Sequence, residues 1–267
     1  MTHARTLLAV LTCAVLVGPA EGATAAAKKL TREELVALFA ALNGAAKTAR
    51  TFQADLRRSE QSGFVIDEEP LVSEGTVSIE RPERFRQEIV RPRRSLTVVN
   101  SKDLWIYFPD AREVQHVDLT KGVKGKAGTS AESIMPWLTF DLAGLEKTFK
   151  VEAWLEDPPE WATLKLVPED RRGKIAAAEV KDLPARALER CFRIEFAPVK
   201  QELAPAMATL SLWVDGVNPW PVKIGQENPD GDVVTTEYRN IVLEAPIDAR
   251  EFEFRPPRRT KVQELSG

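Results

Sequence analysis

Residues 96–119 read LTVVNSKDLWIYFPDAREVQHVDL, and the punctuation in this stretch decides the fold. Two short apolar runs, 96–99 and 104–108, flank Asn100-Ser101-Lys102-Asp103, a polar quartet of the kind that reverses a hairpin. Pro109-Asp110-Ala111 then turns the chain again into a third run, 113–119. Short β-branched and aromatic runs with turn residues at each end predict strands.

The same period of two continues on both sides. Phe52, Ala54 and Leu56 alternate with polar residues, as do Val77 and Ile79, and Phe85, Gln87 and Ile89. Further strands are expected at 149–155, 162–167, 191–196, 209–214, 221–226 and 233–243. Asn228-Pro229-Asp230-Gly231 is a strong hairpin signal between the last two. Many short strands with turn chemistry between them predict a large antiparallel sheet, curved or closed.

Helical period appears in two places. Thr31 with Glu34 three residues on has the capping-box spacing, Leu35, Leu38, Phe39 and Leu42 follow, and Asn43-Gly44 is the expected stop. The flexible basic run KGVKGKAGTS at 121–130 leads to Ser130, which can cap a short helix carrying Ile134, Met135, Trp137 and Leu138. A second short helix is expected over 141–147 with Leu142 and Leu145. Apolar helices inserted into a sheet need something to cover, and the concave face of a curved sheet supplies it.

Composition and the chain start bound the rest. The chain has 267 residues, 43% hydrophobic and 29% charged, with 37 Lys+Arg against 40 Asp+Glu and a net charge of −3. That balance suits a globular protein and gives no global pull towards nucleic acid. Two His and two Cys exclude a zinc ribbon. A basic start with His3 and Arg5, the apolar run LLAVLTCAVLV at 7–17 and the small residues of GPAEGATAAA have the layout of a signal peptide, about residues 1–25, with cleavage sites after Ala20, Gly22 or Ala25. Acylation at Cys13 is the rival reading; the residues before it, Val10, Leu11 and Thr12, fit a lipobox poorly. After cleavage only Cys191 remains, which leaves no intrachain disulfide. No later run reaches the ~20 apolar residues of a membrane-spanning helix.

Four segments together carry a family resemblance: GTVSIERPERFRQEIV (75–90), TVVNSKDLWIYFPDAREV (97–114), LWVDGVNPWPVKI (212–224) and FEFRPPRRTKV (252–262). In this order they resemble the LolA-like family, periplasmic carriers of outer-membrane lipoproteins. The hallmarks are the Arg-Pro-x-x-Phe-Arg step at Arg81 to Arg86, the hairpin around Leu104-Trp105, the Trp213-Val214-Asp215 strand with its Pro-Val-Lys return, and the final Phe-x-Phe-x-Pro-Pro. Two features depart from the pattern: Asn100-Ser101-Lys102 stands where Asp-Gly-Lys is common, and about 170–207 is an insertion, including the charged, Ala-rich stretch 174–190.

The resemblance implies a mainly β (α+β) fold, an unclosed antiparallel β-barrel whose helical lid covers an apolar cavity, in a single domain over 26–267. It implies that Arg81 latches the lid, around Met135 to Asp141, when the carrier is empty. Candidates for the lipid cavity or lid are Phe85, Trp105, Tyr107, Met135, Trp137, Leu138, Phe140 and Leu142. Trp105 and Tyr107 share one strand face, and Leu104, Ile106 and Phe108 the other; the sequence leaves open which looks inward. Each candidate has a plainer reading: the Arg-rich run 81–94, interleaved with Glu80, Glu83 and Glu88, suits a solvated strand face, and the apolar helix residues suit ordinary core.

The implied partners are acylated lipoproteins, an inner-membrane ABC lipoprotein exporter and an outer-membrane acceptor lipoprotein, with the carrier a monomer in the periplasm and no cofactor. The alternatives are the same fold carrying another lipid or glycolipid, or a periplasmic sensor that binds a regulatory protein. Catalysis is not expected. His116 is the single His beyond the export segment, and no G-x-S-x-G elbow, P-loop or G-x-G-x-x-G is present. Cys191 alternates with Phe192, Ile194 and Phe196, which puts it on the polar face beside Arg193 and Glu195.

Overall fold

The alternating runs pair into one continuous sheet. The computed structural model describes residues 27–65, 69–121, 140–199 and 207–265. The expected signal peptide, Cys13, and the lid candidates Met135, Trp137 and Leu138 lie outside the described residues. In chain order the elements are β1 (Lys28–Lys29), α1 (Arg32–Thr48), β2 (Thr51–Gln61), β3 (Leu71–Glu80), β4 (Arg84–Arg91), β5 (Ser95–Val99), β6 (Asp103–Phe108) and β7 (Glu113–Asp118). Then come α2 (Leu142–Leu145), β8 (Phe149–Glu156), β9 (Thr163–Leu166), α3 (Ala177–Val180), β10 (Arg186–Ala187), β11 (Cys191–Pro198), β12 (Thr209–Val214), β13 (Lys223–Glu227), β14 (Val233–Leu243) and β15 (Lys261–Glu264).

The strand order is β1-β8-β11-β12-β13-β14-β2-β3-β4-β5-β6-β7-β15, with β9 and β10 branching from β14. Its two end strands, β1 and β15, do not pair with each other, so the barrel is unclosed. Most neighbours are antiparallel, as expected. The exceptions are β9 on β14 and β15 on β7, both parallel. Gly75 sits at a register shift in the β3–β4 ladder, where a Cβ would lie 1.9 Å from the Glu88 carbonyl oxygen. Such an irregularity strengthens local twist and helps curl the sheet.

Three readings need correction. Asn43-Gly44 does not stop α1, which runs on to Thr48 and is capped at Ala49. Ala45 and Ala46 are strong helix formers, and Ala46 is buried under the helix, which together outweigh the cost of an interior glycine, about 1 kcal/mol. The strand at 162–167 joins the sheet through a parallel pairing, not an antiparallel one. The strand expected from 221 begins at Lys223, although Val222 already donates to the Trp213 carbonyl at 2.8 Å and accepts from Tyr238 N–H at 2.9 Å. Ile175, Val180 and Leu183 of the insertion pack with Val167 and Ala245 into a small core of their own beside β14.

On the face away from α1, one cross-strand row runs through nine strands. Lys29, Trp154, Arg193, Trp213 and Lys223 stand opposite one another in turn, and Glu237, Arg57, Glu74 and Arg91 continue the row. Arg193 lies 4.1 Å from the Trp154 ring centroid and Lys223 lies 4.4 Å from that of Trp213. Arg193 also donates to Glu156 and to Glu195, both at 2.7 Å. Cys191 is on this face, as its alternation predicts, yet it is buried; burial, with Glu156 and Asp215 nearby, pushes its thiol up to about 12. That thiol is unreactive at neutral pH.

The C-terminal segment runs as a strap over the outer face of β6 and returns as β15 beside β7. Phe254 lies 5.7 Å from the Trp105 ring and 5.6 Å from that of Tyr107. His116 fastens the returning strand. Its ring stacks on Trp105 at 3.7 Å, Nε2 pairs with Asp103 at 2.8 Å and Nδ1 with Glu264 at 2.7 Å. Burial alone would lower the imidazole pKa, but the two carboxylate bonds outweigh it and the net shift is upward from 6.5.

Two tests follow from these contacts. Arg193→Ala removes two ion pairs and a ring contact from a half-buried position and should lower unfolding free energy by about 2 kcal/mol in urea titration; Lys29→Ala, at the sheet edge, should cost less than about 0.5 kcal/mol. Because His116 titrates higher when folded, its contribution is fully present below pH ~6.5 and is lost as pH rises through the raised value. The stability difference between wild type and His116→Gln should therefore shrink as pH rises above ~6.5 and through the raised value. A gap that stays flat or widens over that range would contradict the clamp.

Candidate functional site

The site begins with what α1 covers. Its capping box forms as the spacing predicts: Glu34 N–H donates to Thr31 Oγ1 at 3.2 Å, and Thr31 N–H donates to Glu34 Oε2 at 2.8 Å. Leu35, Leu38, Phe39, Leu42 and Ala46 are buried against β8 (Phe149, Val151, Ala153), β11 (Ile194, Phe196) and β12 (Leu210, Leu212, Val214). Each large side chain so buried contributes about 1.5–3 kcal/mol gross. Phe140 meets Phe39 edge-on at 6.1 Å and is 1% exposed, so it belongs to this core; Leu142 packs half-buried at its margin.

Residues directly opposite in a ladder share a face, which lets the α1 side be followed strand by strand. Leu212 stands opposite Ile224, Ile224 opposite Thr236, and Thr236 opposite Arg58. From β2 the same face passes through Phe52, Ile79, Phe85, Val99, Leu104 and Val117, and in the next row through Ala54, Val77, Gln87, Thr97 and Ile106. Phe85 is therefore on the α1 side. Trp105 and Tyr107 are on the opposite face under Phe254, and they do not line the side that α1 covers. The apolar cluster of Val99, Leu104 and Val117 on β5–β7 is separate from the one that holds α1. The inner face thus has two halves, one filled by the helix and one that the helix leaves alone.

Arg81 stands where these halves meet, in the turn after β3. Its Nη1 donates to the Ala46 carbonyl at 3.1 Å, at the C-terminal end of α1, and its guanidinium lies 4.7 Å from the ring centroid of Trp220. Nε and Nη2 are buried with no hydrogen-bond partner among the described residues, and so is Trp220 Nε1. Burial lowers the Arg81 pKa to about 10, with Glu244 opposing, so the group stays charged at neutral pH. A latch is expected between Arg81 and the segment around Met135 to Asp141, of which residues 135–139 lie outside the described ones; among the described residues the guanidinium bonds the end of α1.

Trp220 is held by local chemistry within 212–224. Asp215 Oδ1 accepts from Val217 N–H at 3.0 Å and from Asn218 N–H at 2.6 Å, while Oδ2 accepts from Arg186 at 3.2 Å. Gly216 has φ 84°, and a Cβ there would lie 2.5 Å from the Phe192 ring, which explains Asp-Gly after Trp-Val. The loop so folded puts Trp220 against Phe52, ring centroids 5.2 Å apart. Nothing in the sequence flagged Trp220, Ala46 or Glu244 as partners of Arg81; the conspicuous PWP run at 219–221 was the available signal.

Among the described residues no helix is long and apolar enough to cross a membrane, and no group of three or more His, Cys, Asp and Glu is placed to hold a metal.

The family profile described as "Outer membrane lipoprotein carrier protein LolA" matches residues 47–181, half of the chain. Two curated relatives are named outer-membrane lipoprotein carrier protein. The one from Psychromonas ingrahamii is 30% identical over 67 residues, 25% of this chain and 31% of that protein. The one from Dechloromonas aromatica is 29% identical over 122 residues, 43% of this chain and 54% of that protein. The matched regions thus span about a third and about half of these relatives. A solved LolA superfamily protein from Nitrosomonas europaea is 10% identical, with 82% of this chain and 97% of that chain covered at a TM-score of 0.35; so loose a superposition adds nothing to the strand order above.

Proposed function

Because the chain belongs to the LolA family of outer membrane lipoprotein carriers, we propose that it shields the acyl chains of lipoproteins on the α1-facing side of its half-barrel. It would carry them through the periplasm from an inner-membrane ABC exporter to an outer-membrane acceptor lipoprotein. The observation that carries this reading is the division of the inner face. A helix fills the half over β8, β11 and β12, and a second apolar area around Phe85, Ile89 and Ile106 lies beyond it on the same face.

The energetics set what such a carrier must do. Each buried methylene contributes about 0.8 kcal/mol, so two or three long chains would sum to tens of kcal/mol gross. A carrier that captured all of it would never release its cargo. Closing of the empty protein must offset part of the loading energy, and Arg81 suits that task. Among the described residues it holds the end of α1 by a single hydrogen bond, and two nitrogens of the same fork, Nε and Nη2, make none. The latch includes α1 in this reading, and cargo entry would break the Arg81–Ala46 bond as the helix end lifts.

Arg81→Leu should still take up a triacylated lipoprotein from exporter-containing vesicles but pass it to the acceptor at least ~10-fold more slowly, since the closed state no longer gains the bond. Its unfolding free energy should stay within about 1 kcal/mol of wild type, because the buried charge goes together with its hydrogen bond. Transfer at the wild-type rate by a folded Arg81→Leu protein would remove the latch.

A further inference from the structure

Three turns at one end of the sheet converge on a basic rim. Arg94, after β4, bonds Asp110 in the β6–β7 turn at 3.1 Å, and Lys261 N–H donates to the Arg112 carbonyl at 2.9 Å, which brings the turn at 258–259 alongside. The three acids of this rim, Glu74, Asp110 and Glu113, are already paired with Arg91, Arg94 and Lys261. Arg93, Arg112, Arg258 and Arg259 remain, all exposed and without a carboxylate partner among the described residues. The rim thus holds four surplus positive charges on a chain whose net charge is −3.

We propose that this rim is a docking surface for anionic phospholipid headgroups. Arginine presents a planar fork that matches phosphate oxygens better than lysine does, and all four surplus cations are arginines. Val90 and Val262, exposed at 53% and 43%, lie beside Arg91 and Lys261 and supply apolar contacts among the charges. Charged forks with interspersed aliphatic side chains suit a bilayer interface, where phosphate and acyl boundary lie side by side. Two of the arginines, Arg112 at φ 52° and Arg259 at φ 64°, occupy left-handed turn positions where Gly or Asn would be the easier choice. The rim lies on the turns and the strap, apart from the inner face, so this inference does not depend on the cargo.

The test uses the full mature chain and lipoprotein-free vesicles. Wild type should co-sediment with phosphatidylethanolamine vesicles holding about one quarter phosphatidylglycerol at low salt, at least ~10-fold more than with phosphatidylcholine alone, and should dissociate at ~0.5 M salt. The double variant Arg93→Glu/Arg258→Glu should lose ~10-fold of that binding, with an unchanged circular dichroism spectrum and melting temperature. The control Lys147→Glu/Lys181→Glu, which reverses two exposed charges elsewhere, should bind as wild type. Equal binding to neutral vesicles, or undiminished binding by the rim variant, overturns the proposal. Absence of vesicle binding with salt-sensitive binding to an acidic polypeptide also overturns it, reassigning the rim to a protein partner. None of these outcomes touches the transfer assay with Arg81→Leu, so the two readings fail separately.

Discussion

An open sheet of this length has two faces and two edges to protect, and the packing of α1 over β8, β11 and β12 is the contact around which the rest is arranged. The helix is held at both ends. Near its start, Arg32 pairs with Glu146 at 2.9 Å, Lys28 with Glu34 at 2.7 Å, the capping box closes, and β1 is hydrogen-bonded to β8. At its far end Ala46 is buried, Arg50 just past the helix donates its N–H to Glu244 at 2.9 Å, and Arg81 adds its bond to the Ala46 carbonyl beside the Trp220 ring. Of these ties, the Arg81–Ala46 bond is a side-chain contact that can break without unpairing any strand of the sheet.

The far end also holds buried polar atoms without a hydrogen-bond partner among the described residues, Arg81 Nε and Nη2 and Trp220 Nε1. A buried guanidinium with one main-chain acceptor, a ring face and a more distant carboxylate is only partly compensated for leaving water. Such a group adds little to global stability. On the proposed reading it distinguishes two arrangements of the same helix, since its bond to Ala46 would exist in one of them only. The outer face shows the opposite design. There Arg193 lies between two tryptophans and is paired with two glutamates, His116 is bonded through both ring nitrogens, and Phe254 seals Trp105 and Tyr107.

Much of this was legible in the sequence. The alternation around the hairpin at 96–119 predicted most of the strands, and the spacing of Thr31 and Glu34 predicted the helix start and its cap. The inward face was not legible, for a definite reason. Both faces of β6 are apolar, Leu104 and Ile106 on one side and Trp105 and Tyr107 on the other, so alternation alone cannot orient the strand. The outer pair is apolar because the C-terminal strap covers it, and that strap is rich in Pro and Arg and shows no strand period before β15. Arg81 was singled out through its motif, but its ring partner Trp220 lies far along the chain, and its acceptor is a main-chain carbonyl at Ala46 that no side-chain pattern marks. The helix ran past Gly44 because tertiary burial of Ala46 overrode a local stop signal.

The central claim is that acyl chains lie on the α1 side of the sheet, and two neighbouring residues on opposite faces test it. A photo-crosslinking side chain placed at Ile106, and separately at Tyr107, would be irradiated in the presence of a triacylated lipoprotein. The account predicts adducts to the acyl chains from position 106 and none above background from position 107. Adducts from position 107 with none from 106, or equal labelling of both, would contradict it.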